Sequence, residues 1–392
     1  MRLFSHLVYA ALVVAQQDPI QDFCRRHQHQ TCVIDNKLYV DGGKVYYGAS
    51  VENGSTPQQN THLLWEDILA TDNETEFPTQ YKNLTKVAEY LRDTSHTVTD
   101  PYQTSEVPSV SGGVLWPDVT NKLFYLYGGE YDDVASVQPF TSLWFFDVIY
   151  NTWNRTSPSP SQNGIGWPAF GSGVVAESGT AYYYGGYLSN KTTPKWSGDP
   201  LMLSSLISFD MDTQIWSNHT YDDTPRAAGT MHYIPASASG MLVYFGGAET
   251  DSTGVVRQQI RVFDINENKW FTEVATGDVP TPRQGICAGV AWADDRSSYN
   301  IQLPNIAAGK GWSSCNTVRG NSQMVVIGGY YANTSFTTCD APKYMGQHGL
   351  LLGQETEEVA PPDTKWWWRL WHEYNRYRVP DTIVSLVGGK YV

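Results

Sequence analysis

The sequence predicts an all-β fold built from repeated four-stranded sheets, and three observations carry that prediction. First, strand-like runs stop at glycine pairs six times: "KLYVDGG" at Gly42-Gly43, then Gly128-Gly129, Gly185-Gly186, "MLVYFGG" at Gly246-Gly247, Gly328-Gly329 and "IVSLVGG" at Gly388-Gly389. Second, three segments end in Phe-Asp and resume at a tryptophan six residues on: Asp147 and Trp153, Asp210 and Trp216, Asp264 and Trp270. Third, aromatics make up 13% of the chain, with 14 Trp and 25 Tyr, a composition suited to strands. Intervals of roughly 60 residues between glycine pairs, with four strands per unit, are the signature of a β-propeller.

Each element has a local reason. A strand ending in Gly-Gly is weakened by its lack of side chains, so a recurrent pair marks a close backbone approach and a turn. Aspartate after phenylalanine hydrogen-bonds the backbone two residues on and fixes a tight turn. The tryptophan that follows is a large apolar plate for packing one sheet on the next. Pro108, Pro168, Pro225 and Pro282 open the units, where a missing strand N–H is tolerated.

These features resemble kelch repeats, and their order is similar to secreted fungal kelch-repeat proteins of the galactose oxidase/kelch superfamily. The stretches that carry the resemblance are "CRRHQHQTCVIDNKLYVDGG", "YIPASASGMLVYFGG" and "NSQMVVIGG". The implied fold is a kelch-type β-propeller of about six blades with the fifth truncated. Residues 16–100 are assigned to blade one, with a partly helical insertion at 81–93, and 107–160, 167–222 and 225–280 to regular blades. Residues 282–307 form the truncated blade, because no glycine pair or Phe-Asp hairpin follows, and 312–392 supply the last blade and closure.

The amino-terminal stretch reads as a secretory signal over 1–15: Arg2 and His6, the apolar run Leu7–Ala15, and Val13 and Ala15 at the −3 and −1 positions. The run is too short to span a bilayer, and no later segment approaches the ~20 apolar residues a span requires. The expected localisation is therefore secreted or cell-wall associated. Asn53, Asn73, Asn83, Asn154, Asn190, Asn218 and Asn333 head glycosylation sequons. Five cysteines suit an oxidising compartment. Cys315 and Cys339 flank the "MVVIGG" strand and are expected to pair. Cys24 and Cys32, read on one strand, lie too far apart to bond, so Cys24 with Cys287 is the second expected bridge, leaving Cys32 buried and free.

A net charge of −14 argues against nucleic acid or an anionic membrane surface as partner. A copper-radical oxidase is disfavoured: the chain has no Tyr-His dipeptide, and His232-Tyr233 reverses the order. His27 and His29 share a strand face but lack a third ligand, so no metal and no cofactor are expected. The candidate site is the channel mouth, where Arg25 or Arg26, His29, Arg226 and Arg283 open first strands. Converging guanidinium groups there would hold a carboxylate or an acidic peptide. A second candidate is the tryptophan cluster in "KWWWRLWHEY" (365–374), read as a sugar-stacking platform. The reading is of a non-catalytic binding or scaffold protein for a protein, carbohydrate or small-molecule ligand. The alternative is an accessory or tailoring role in a fungal secondary-metabolite pathway.

Overall fold

The computed structural model describes residues 17–51, 55–68, 82–84, 107–158, 164–249, 259–276, 283–304, 310–331, 337–341 and 345–352. The amino-terminal signal, the 365–374 cluster and Gly388-Gly389 lie outside them.

Antiparallel meanders follow one another along the chain. The first sheet pairs Gln30–Ile34, Lys37–Asp41, Leu63–Asp67 and Lys82–Leu84 in that order. The second pairs Val114–Asp118, Leu123–Tyr127, Trp144–Asp147 and Thr152–Arg155. The third runs Ser172–Val175, Thr180–Tyr184, Leu206–Asp210 and Ile215–Asn218. The fourth runs Ala227–Ile234, Met241–Ala248, Gln259–Asp264 and Lys269–Val274. Of a fifth sheet, the described residues hold two strands, Gly289–Trp292 and Tyr299–Gln302. Of the last sheet, the described residues hold three strands, Ser314–Val318, Gln323–Ile327 and Gln347–Leu351. Each sheet's first strand lies beside the first strand of the next, and the last returns to Gln30–Ile34, so the inner strands close a ring. This is the propeller arrangement that the repeats predict.

The hairpin logic holds residue by residue. The Asp147 carboxylate accepts from the N–H groups of Ile149 and Tyr150, and Asp264 accepts from those of Asn266 and Glu267. Across these turns Phe146 faces Trp153, Phe209 faces Trp216 and Phe263 faces Trp270. The tryptophans fill the seams between sheets. Trp216, for example, packs on Phe209 of its own sheet and on Trp116 and Tyr127 of the second.

The glycine pairs are where neighbouring sheets touch. A Cβ on Gly185 would lie 2.2 Å from the Arg226 carbonyl oxygen of the fourth sheet, and Gly185 has φ +70. Only glycine meets both demands at low cost. The second glycine, Gly186, donates its N–H to that same carbonyl. The clasp repeats around the ring, from Gly43 to Val110, Gly129 to Pro168, Gly247 to Arg283 and Gly329 to Arg26.

The fifth sheet has no glycine pair to clasp the last one, and a disulfide bridges that seam instead. Cys287 bonds Cys315, not Cys24, while Cys339 bonds Cys24 across the join between the last sheet and the start of the chain. Both expected pairings, Cys315–Cys339 and Cys24–Cys287, are thus corrected, and Cys32 is buried and free as read. Contact between neighbouring sheets sets the partners, and for Cys24 and Cys339 that contact is the closure of the ring. It brings together residues 315 positions apart, which spacing along the chain does not reveal. The reading of Cys24 and Cys32 on one strand also fails, because the chain turns at Gln28 between Phe23–His27 and Gln30–Ile34. In the stretch read as helix-like, Lys82–Leu84 is a strand hydrogen-bonded to Leu63–Asp67; the rest of 81–93 lies outside the described residues. Among the described residues no helix is long and apolar enough to cross a membrane.

Candidate functional site: the axial mouth

Six residues entering the inner strands form a closed hydrogen-bonded circle. The N–H of Gly112 donates to the carbonyl of Gln28, Phe170 to Gly112, Ala228 to Phe170, Gly285 to Ala228, Trp312 to Gly285 and Gln28 to Trp312. All six adopt left-handed backbone, with φ between +56 and +69. That conformation costs an L-residue about 1–2 kcal/mol, so the circle is imposed at four non-glycine positions by the packing around it. In five units the clasped carbonyl stands two residues before the circle residue, so clasp and circle share one level of the ring.

Aromatic side chains cover this level. A Cβ at Gly112 would lie 2.6 Å from the Phe170 ring, and one at Gly285 would lie 2.7 Å from the Trp312 indole, so each ring rests over a glycine of the circle. Phe170 is buried, and Tyr187, half-buried, stacks on it at 5.7 Å. The Tyr187 hydroxyl donates to Glu130 at 2.8 Å, and burial, reinforced by the Glu130 charge, holds its proton far above the ordinary tyrosine range. Beside it Ser111 bridges by backbone to Glu130 and donates its hydroxyl to Gln59, whose amide nitrogen has no partner among the described residues. Among the described residues this side of the mouth therefore combines an aromatic floor with the Glu130 carboxylate, and the Gln59 amide nitrogen is buried behind Ser111.

The sequence-predicted arginines are equivalent to one another through their backbone and differ in the surroundings of their side chains. The carbonyls of Arg26, Arg226 and Arg283 each receive a glycine clasp. The neighbouring sheet drawn in by that clasp covers two of the side chains: Arg26 and Arg226 are each 1% exposed. The Arg226 guanidinium pairs with Glu249 at 3.2 Å, and that of Arg26 lies over the Phe23 ring. Arg283 alone of the three is exposed. A converging set of arginines open to an acidic ligand is not what the fold builds. His29 is buried, with Nε2 on Ser314 Oγ at 2.9 Å, and burial followed by the charge of Arg26 holds it well below the ordinary histidine range. Gln28 at φ +57 separates His27 from His29, so they do not share a regular strand face. Among the described residues no three His, Cys, Asp or Glu side chains form a cluster suited to a metal ion.

Of the sequons, Asn190 and Asn218 are exposed; Asn154 is half-buried, its amide donating to Thr152. Asn83 falls in the strand Lys82–Leu84, and Asn53, Asn73 and Asn333 lie outside the described residues.

Residues 79–297 match the family model described as the KLHDC2/KLHL20/DRC7 Kelch-repeats domain. A fold of radial, clasped four-stranded sheets with an axial mouth defines a propeller-type repeat protein, and the chain belongs to the kelch-repeat family. It is similar to a kelch repeat-containing protein of Arthroderma benhamiae, 24% identical, with 97% of this chain and 65% of the relative covered. The chain thus spans just under two thirds of that relative's length. A solved structure titled "Structure of YjhT" shares the fold, with a TM-score of 0.54 at 14% identity over 86% of this chain and 98% of that one.

Proposed function

We propose that this protein is a secreted, non-catalytic kelch-repeat binding protein that takes a neutral carbohydrate at the axial mouth. One observation carries the reading: Phe170 and Trp312 meet across the axis, so the mouth is a shallow aromatic surface and not a through-channel. Flat aromatic faces beside a carboxylate suit a sugar, whose C–H faces stack while its hydroxyls donate hydrogen bonds. Burial of Arg26 and Arg226 weighs against the acidic ligand that their sequence positions suggested. Secretion is supported by the apolar run ending at Ala15, and by two disulfides, which persist in oxidising compartments.

Two measurements test this. Protein from culture medium should begin near Gln16 on amino-terminal sequencing; soluble intracellular protein retaining Met1 would sink the secretion half. Screening on a neutral glycan array should find a ligand whose binding weakens in Tyr187→Ala and Trp312→Ala. Tyr187→Phe, which keeps the stacking ring, should show a smaller loss. Equal binding by all three variants would move the site elsewhere.

A further inference from the structure

Between the second and third sheets lies a cavity of about 280 Å³ that takes no part in the mouth. Its floor includes Tyr127, Tyr183 and Ile207, and its rim carries Ser204, Asn218 and Tyr221. The space exists partly because Gly164 and Gly166, on the connection between the two sheets, bring no side chains to it; both line the cavity. Small-molecule sites begin at about 300 Å³, so this volume suits one sugar ring and not an extended ligand.

Asn218 is what makes the cavity informative. It is exposed on the edge strand Ile215–Asn218 and heads Asn218-His219-Thr220, a glycosylation sequon, and three residues on the Tyr221 ring is 64% exposed at the same rim. The other described sequons lack this setting. The Asn154 amide is engaged with Thr152, and neither Asn154 nor Asn190 lines the cavity.

We infer that Asn218 is an N-glycosylated residue and that the first N-acetylglucosamine of its glycan seats in this cavity, joining the third sheet to the second. The inference rests on the secreted reading above. In the modification, Asn218 Nδ2 bonds to the anomeric carbon of a lipid-pyrophosphate-linked oligosaccharide. The carbon–oxygen bond to the pyrophosphate breaks, the amide loses one proton, and no oxidant or reductant is required. The seated ring lays its apolar face toward the tyrosines and its hydroxyls toward Ser204, burying surface that an unmodified chain leaves wet.

The test is full-length protein from a eukaryotic secretory host, mapped by glycopeptide mass spectrometry and hydrogen exchange. Asn218 should carry a glycan. An endoglycosidase that leaves a single N-acetylglucosamine should not change exchange in 164–168 and 203–207, whereas Asn218→Gln should raise it severalfold. Asn190→Gln should not. A glycan on Asn154 or Asn190 but none on Asn218 overturns the inference while leaving secretion intact. No glycan at any sequon removes both. A glycosylated Asn218 with exchange unchanged in Asn218→Gln overturns the seating, because the sugar is then solvent-borne.

Discussion

The indole of Trp312 meets the phenyl ring of Phe170 edge-on, with centroids 5.0 Å apart. The two residues stand three steps apart in the six-membered hydrogen-bonded circle, so their contact crosses the axis. Edge-to-face aromatic pairs at this separation contribute about 0.5–1.5 kcal/mol beyond their burial. That contact bolts opposite sides of the ring together at the level where the sheets are clasped.

Backbone and side chain oppose each other in this circle, and substitution can separate them. Ala228 holds φ +60 with only a methyl group to show for it. Ala228→Gly should stabilise the protein by about 0.5–1 kcal/mol, since relief of the left-handed penalty exceeds the added chain entropy. Phe170→Gly should be destabilising, yet by less than Phe170→Ala, which loses the ring and keeps the strain. Urea unfolding of the three variants decides it; an Ala228→Gly protein less stable than the parent would show that the circle is not strained.

The seam between the fifth and last sheets depends on the Cys287–Cys315 bond. With a sequence separation of 28, its removal in Cys287→Ser/Cys315→Ser should cost roughly 3–4 kcal/mol on the chain-entropy account. Exchange should rise first in 285–292 and 312–318 while residues around Trp216 stay protected. Uniform loss of protection throughout the ring would mean that the seam has no special dependence on the bridge.

The clasp itself is open to a paired comparison. Gly185 and Gly179 both have positive φ, +70 and +81, but a Cβ at Gly179 would meet nothing within 4 Å. Gly179→Ala should cost about 1–2 kcal/mol, the backbone penalty alone. Gly185→Ala adds a collision with the Arg226 carbonyl and should cost about 4 kcal/mol or more. Similar melting temperatures for the two variants would remove close approach as the reason for the glycine pairs.

Acid should loosen the fold through its histidines. Burial lowers His27 and His232 from 6.5 to about 4, with Lys44 adding to the effect at His27. Both are neutral in the folded state at pH values where the unfolded chain takes up protons. Their stabilisation is therefore present above about 6.5 and lost as pH falls toward 4. His232→Gln should flatten this decline in a thermal-melt series from pH 7 to 4. An unchanged slope would place the acid sensitivity elsewhere.

What could be read from sequence followed from which physics was local. Gly-Gly and Phe-Asp…Trp are short-range devices, each recurring for one reason, and they disclosed the sheets and their order. The arginine stations at 26, 226 and 283 were also legible, being fixed by position in the repeat. Their burial was not, because the covering atoms belong to the neighbouring unit. Nor was the circle at Gln28, Gly112, Phe170, Ala228, Gly285 and Trp312: these residues share a backbone conformation, and no side-chain type announces it. The only available hint was their position two residues after Pro168, Arg226 and Arg283. The disulfide partners were hidden for a related reason: Cys287–Cys315 crosses from one sheet to the next, and Cys24–Cys339 spans a join that exists only once the ring has closed.

The circle also has an electrical consequence. Its six peptide hydrogen bonds run head to tail in one rotational sense, each N–H pointing back to the preceding unit. In a closed loop the bond moments cancel around the circumference, whereas in a helix aligned moments accumulate toward the ends. The mouth therefore has little of the positive pole that draws anions to a helix start, and its six N–H groups are already engaged. Whatever charge preference the mouth shows is left to side chains such as Glu130, whose carboxylate stands outside the circle of peptide hydrogen bonds.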